Sequence, residues 1–100
     1  MKPDIPYRVG KTTPMKDIDG NPKPYKTIAQ DSLASSNERK AFALHKIQFG
    51  DGKEEIRIGY YMKSKKKRMN GKWAWGQYAP MMTQEETRAI FNRLKELKWI

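Results

Sequence analysis

Six cations fall within residues 63–72, namely Lys63, Lys65, Lys66, Lys67, Arg68 and Lys72, with no carboxylate among them. Aromatic residues flank the run: Tyr60 and Tyr61 before it, Trp73, Trp75 and Tyr78 after it. Clustered cations hold phosphates without reading base sequence, and flat rings offer stacking surfaces to unpaired bases. The chemistry expected of residues 60–78 is therefore nucleic-acid binding, to single strands in preference to duplex. A lysine-rich loop can also serve merely to keep a strand edge soluble and unpaired. That explains some of these lysines, but not six cations unmatched by any acid. The run KSKKKR also has the composition of a nuclear-targeting segment, a pattern that arises often by chance.

Catalysis has little to build on. The one histidine, His45, has no cysteine in the chain and no acid in its own stretch to complete a nucleophile–base pair. It is expected to be a strand residue packed at a sheet edge. Asp51, Glu54 and Glu55 are close in sequence but lie on and beside a turn, where carboxylates are solvated, whereas a metal-dependent nuclease needs convergent ones. Asp17 and Asp19 only partly match a cation-binding loop, because the later glutamate ligand is missing. No enzyme, metal or cofactor is expected. A small basic ribonuclease is kept as a minor alternative.

The chain has 100 residues, of which 37% are apolar and 32% charged, so one small domain with a compact core is expected. The net charge of +10 calls for a polyanionic partner. Residues 1–38 carry six cations against five carboxylates, and residues 39–100 carry fifteen against six, so the positive field belongs to the C-terminal part. Without cysteine there are no disulfides or thiolate metal sites. The apolar runs are too short to span a bilayer, and MKPDIPYRVGK lacks the apolar core of a secretory signal. A cytoplasmic or nucleoid location, with no membrane partner, is the expectation.

Residues 1–30 hold five of the six prolines, each of which removes a backbone donor and biases its predecessor toward extended geometry. Neither a helix nor a central strand is expected there. Residues 1–38 are read as an extended or disordered arm followed by a polar linker, and residues 39–100 as the folded domain. Residues 39–49 form a first strand. Phe42 and Leu44 share one parity and Ile47 and Phe49 the other, which suggests a bulge near His45. Helix is the runner-up for residues 37–46. Gly50-Asp51-Gly52-Lys53 is a hairpin turn. Residues 55–62 alternate cleanly as a second strand, and residues 72–78 form a third.

Thr83-Gln84-Glu85-Glu86 is a capping box. Ile90, Phe91, Leu94 and Leu97 then form one apolar stripe at helical spacing. The predicted fold is α+β: a three- to four-stranded antiparallel meander whose one face packs on a C-terminal helix and whose other face is open. Trp73 and Trp75 leave the same side of their strand. They either pack under the helix beside Phe91 and Leu94 or stand on the open face as stacking platforms.

In order and spacing, residues 41–97 resemble the positive-cofactor-four-like family of single-stranded-DNA-binding transcriptional coactivators. The resemblance is carried by AFALHKIQF, GDGK, EIRIGYYM, KSKKKRMNGK and the helix TQEETRAIFNRLKEL. It implies a curved four-stranded sheet before the helix, dimerisation through helices, and strand contact by basic and aromatic residues. Carried over, it gives that contact to Lys46, Arg57, Tyr61, Lys65, Lys66, Lys67, Arg68, Lys72 and Trp75, and places Ile90, Leu94 and Leu97 at the core or dimer contact. Residues 73–77, WAWGQ, depart from the family's third strand, and no fourth strand is evident in the sequence.

The sequence therefore points to a non-enzymatic nucleic-acid-binding protein, acting in transcription or DNA maintenance. Lys63 and Tyr78 join the residues above as candidate contacts. The rival is a protein-interaction module that docks a larger partner through residues 1–30 and a sheet edge.

Overall fold

The computed structural model describes residues 2–63, 72–76 and 79–100. Its elements run β1 (Thr12–Thr13), β2 (Tyr25–Ala34), β3 (Lys40–Phe49), β4 (Glu54–Lys63), β5 (Trp73–Trp75) and α1 (Gln84–Glu96). The strands form one antiparallel sheet in the order β1-β2-β3-β4-β5. The architecture is α+β, with five strands where three or four were expected.

The largest correction concerns residues 25–34. These residues, expected to be arm and linker, form a ten-residue strand between β1 and β3. The prolines that argued against it all precede Tyr25, and the backbone donors of residues 25–34 are intact. The alternation of β2 is hidden because its register with β3 shifts between Thr27 and Ala29, leaving Ile28 as an extra residue. Such a bulge flips every later side chain to the opposite face. The bulge expected near His45 is therefore on the partner strand, since β3 pairs with β4 without a shift from Lys40 to Gln48.

The parity slip within β3 has a different cause: both of its faces are covered. Phe42 and Leu44 point one way and pack with Ile90 and Leu94 of α1, and all four are fully buried. Leu33, Ile56, Ile58, Tyr60, Met82 and Trp99 close around them. Burying each large apolar side chain here contributes roughly 1.5–3 kcal/mol. Ala41 and Ala43 point the other way, toward Ile5 and Tyr61, with Trp73 and Trp75 alongside. The face expected to be open is thus partly roofed by the N-terminal segment. Ser32 Oγ donates to Pro3 O at 2.9 Å, Gln30 Nε2 to Pro6 O at 3.2 Å, and Arg8 N to Gln30 Oε1 at 2.8 Å. Ile5 is 8% exposed.

Local signals explain the rest. Gly52, at φ 88°, closes the β3–β4 turn in the left-handed region that glycine adopts without steric cost. At α1, Glu86 N donates to Thr83 Oγ1 at 3.0 Å and Thr83 N donates back to Glu86 Oε1 at 2.9 Å, completing the capping box. Of the apolar stripe, Ile90 and Leu94 are buried, but Phe91 is 49% exposed. The helix lies on the sheet through a narrower seam than the stripe suggested, so Phe91 is not core. At the C-terminal end Lys98 N donates to Lys95 O and Trp99 N to Leu94 O, both at 3.0 Å, with Lys98 at φ 59°. This is a Schellman ending with lysine where glycine is usual.

Asp31 ties the two covering segments together. Lys2 Nζ lies 2.6 Å from its Oδ1, and Arg93 of α1 donates to its Oδ2. Burial pushes the Asp31 carboxyl up, but the hydrogen bonds from Lys2 and Arg93 outweigh it and hold the pKa below its usual value.

Candidate nucleic-acid interface

The expected third strand is shorter than residues 72–78: it holds Trp73, Ala74 and Trp75, with Lys72 exposed just before it. Register places Trp75 opposite Tyr61 and Trp73 opposite Lys63. Directly opposed residues share a face, so both tryptophans stand on the arm-covered face, away from α1. They are half-buried there, neither under the helix nor fully free.

The position of Trp75 depends on a glycine. Gly59 of β4 lies beneath its indole, and a Cβ at Gly59 would approach Trp75 Cη2 to 2.2 Å. The bare backbone lets the ring lie across β4 and reach β3. There it stacks on His45, with centroids 5.9 Å apart and planes 11° apart, and meets Tyr61 edge-on at 5.0 Å. The Arg57 guanidinium sits 4.4 Å from the Trp75 centroid, and its Nη1 donates to Tyr25 Oη at 2.5 Å. Lys63 Nζ stands 4.9 Å from the Trp73 centroid. Such cation–aromatic contacts are worth about 0.5–1 kcal/mol in exposed settings and more when desolvated.

The structure thus gathers Arg57, Tyr61, Lys63, Trp73 and Trp75 on one face. Lys46 is not with them. It projects from the helix side of β3 and pairs with Glu54 at 3.2 Å. Lys65, Lys66, Lys67, Arg68 and Tyr78 lie outside the described residues. The pairing of Lys63 with Trp73 nevertheless holds the two ends of that basic segment side by side.

Two residues beside this cluster, outside the proposed strand contacts, escaped the sequence reading. Arg8, from the arm, joins Arg57 around a cavity of about 400 Å³ that is also lined by Thr13, Thr27, His45 and Tyr61. Arg8 Nη2 donates to Thr13 Oγ1 at 3.2 Å. Nothing in the sequence around Arg8 signalled this, because the cavity exists only once the arm crosses the sheet. His45 is the second. It is 2% exposed rather than at a sheet edge, and its Nε2 has no hydrogen-bond partner among the described residues. Burial pushes its pKa down to about 4, helped by the positive charges of Arg57 and Arg8, so the ring is neutral at neutral pH. Burial likewise raises the Tyr61 phenol.

Charge is divided between the faces. Among the described strand residues on the arm-covered face, Glu55 is the only carboxylate. Asp31, Glu54, Glu86 and Glu96 belong to the helix side, where they pair with or cap neighbouring groups. No group of three or more His, Asp or Glu residues suited to a metal ion occurs among the described residues. No helix among them is long and apolar enough to cross a membrane.

No family model matches this chain, and neither a curated protein nor a solved structure is significantly similar to it.

Proposed function

We propose that the protein binds single-stranded nucleic acid along the β4–β5 edge of its arm-covered face, with no catalytic step. One observation carries the reading. Trp73 and Trp75 stand beside Lys63 and Arg57 on that face, and Lys63 and Trp73, which flank residues 64–72 in the sequence, are paired with each other. Rings beside cations suit a strand whose bases stack while its phosphates are neutralised. Glu55 is the only carboxylate among the described strand residues of that face, which favours a polyanion, while Asp4 and Glu38 border Lys63 and Trp73 at its rim.

In this reading Lys65, Lys66, Lys67 and Arg68 supply affinity without sequence preference, and Lys72 extends the track. Arg57 covers part of Trp75, so Trp73 and the rim of Trp75 take the bases. Replacing the four clustered cations with glutamine should weaken binding to a short oligothymidylate. It should also make the slope of log affinity against log salt shallower by about 0.7 per cation removed. An unchanged slope would remove the segment from the mechanism. Tryptophan fluorescence should be quenched by single strands at low salt. Absence of any response there would return the field to a protein partner. Of the arm's apolar residues, Ile5 is buried within its own chain, whereas Tyr7, Met15 and Ile18 stay exposed and would be the ones to meet such a partner.

A further inference from the structure

The cavity between the arm and the sheet has properties that strand binding along the β4–β5 edge does not use. Arg8 and Arg57 both line it, from different elements: one on the arm, the other on β4. Each is fixed in place. Arg57 is held by the Tyr25 hydroxyl and the Trp75 ring, while Arg8 is held through Thr13 and, at its backbone, through Gln30. A guanidinium held this way is pre-organised for bidentate contact with an oxyanion. No carboxylate lines the cavity, and hydroxyls of Thr13, Thr27 and Tyr61 supply further donors. His45 forms part of the wall, a ring 2% exposed on which the charges of both Arg57 and Arg8 act.

We propose that this cavity binds a phosphate monoester, gripped by Arg8 and Arg57, with the Thr13 and Tyr61 hydroxyls donating to its remaining oxygens. Two guanidiniums and several neutral donors suit a group with two charges and three terminal oxygens better than a carboxylate. The volume of about 400 Å³ admits a phosphate together with its attached sugar. The phosphate can come from the end of a nucleic-acid strand or from a free mononucleotide. The first source rests on the strand-binding reading; the second does not.

The experiment uses matched pairs. A short oligothymidylate with a terminal phosphate, at the 5′ or the 3′ end, is compared with the same strand carrying hydroxyls at both ends. Thymidine monophosphate is compared with thymidine. If the source is a strand end, the phosphorylated strand binds roughly tenfold or more tightly, and Arg8→Gln abolishes the advantage without altering affinity for the hydroxyl strand. If the source is a free nucleotide, only thymidine monophosphate is discriminated, again through Arg8. The chain has one histidine, so its imidazole resonances report the site directly. They should move with thymidine monophosphate and stay still with thymidine. Arg57→Lys, which keeps the charge but not the fork, should weaken the same discrimination, so a folding defect in one variant does not decide the outcome. Equal affinity within both pairs, with an unmoved histidine, overturns the phosphate site whether or not the strands bind. Failure of the hydroxyl strand to bind counts against the strand-binding reading alone.

Discussion

The two faces of this sheet are closed in different ways. The α1 side is covered by a regular element whose polar groups are accounted for: its N-terminus is boxed by Thr83 and Glu86, its C-terminus is closed over Leu94, and Arg93 meets Asp31. The opposite side is covered by an irregular proline-containing segment that anchors at Ile5, Ser32 and Gln30 and leaves a cavity beyond them. A helix satisfies its own backbone and so can seal a face with side chains alone. An extended strap must instead use the sheet's side chains as partners, and where it departs the remaining polar groups face a void. The four fully buried large side chains lie on the first face, and the half-buried tryptophans and their cations, the proposed binding residues, on the second.

The strongest test of that division is Leu94→Ala. Leu94 is 2% exposed in the α1 cluster, and its truncation should cost about 2–5 kcal/mol in chemical denaturation. Oligonucleotide affinity, measured where the variant remains folded, should not change. A parallel loss of affinity would mean that the two faces are not independent.

Acid titration probes the other face. The His45 pKa is depressed in the fold to about 4 from an ordinary value of 6.5, so the unfolded chain binds the proton more readily. Its contribution to stability is full above pH 6.5 and is lost as the pH falls from there toward 4, in total on the order of 3 kcal/mol. Below that window the depressed carboxyls take over. Glu86 is held at about 2 by hydrogen bonds from the Thr83 and Ser36 backbones, and Asp31 is also lowered. Their contribution is present above their unfolded values and disappears as the pH falls through the folded ones. In His45→Phe the limb between pH 6.5 and 4 should flatten while the more acidic limb persists. If the upper limb is unchanged, His45 is not its source.

Gly59→Val asks whether the Trp75 position depends on bare backbone. A Cβ at residue 59 would collide with the indole, so overpacking should cost about 1–3 kcal/mol. The tryptophan emission should also shift as the ring leaves Arg57 and His45. Native stability together with a native spectrum would dismiss the glycine as incidental. The smallest effect is expected at Lys98, whose φ of 59° is unfavourable for a residue with a Cβ. Lys98→Gly should raise stability by about 1 kcal/mol on thermal unfolding without touching binding.

How much of this was legible depended on the range over which each signal acts. The capping box at Thr83, the turn at Gly52 and the alternation of β4 are written in adjacent residues, and all three are present. β2 was hidden because one extra residue, Ile28, reverses its parity midway, so no period of two survives along residues 25–34. β3 misled for the opposite reason: covered on both faces, it has apolar residues at both parities. The clustering of Arg57, Tyr61 and Trp75 followed from alternation once the strands were paired. Arg8 and His45 carried no such pattern.

The sequence alone determined the strong positive charge, the basic segment between two aromatic clusters, the capped helix and the β3–β4 turn, because each depends only on composition or on neighbours within a few positions. Tertiary structure alone decided which face receives Trp73 and Trp75, that the proline-containing segment crosses the sheet, and that His45 is buried beside two arginines. Those outcomes arise from register and from contacts between residues far apart in the chain. One residue of slip in a strand exchanges its faces, and an extended segment acquires a position only from what it touches.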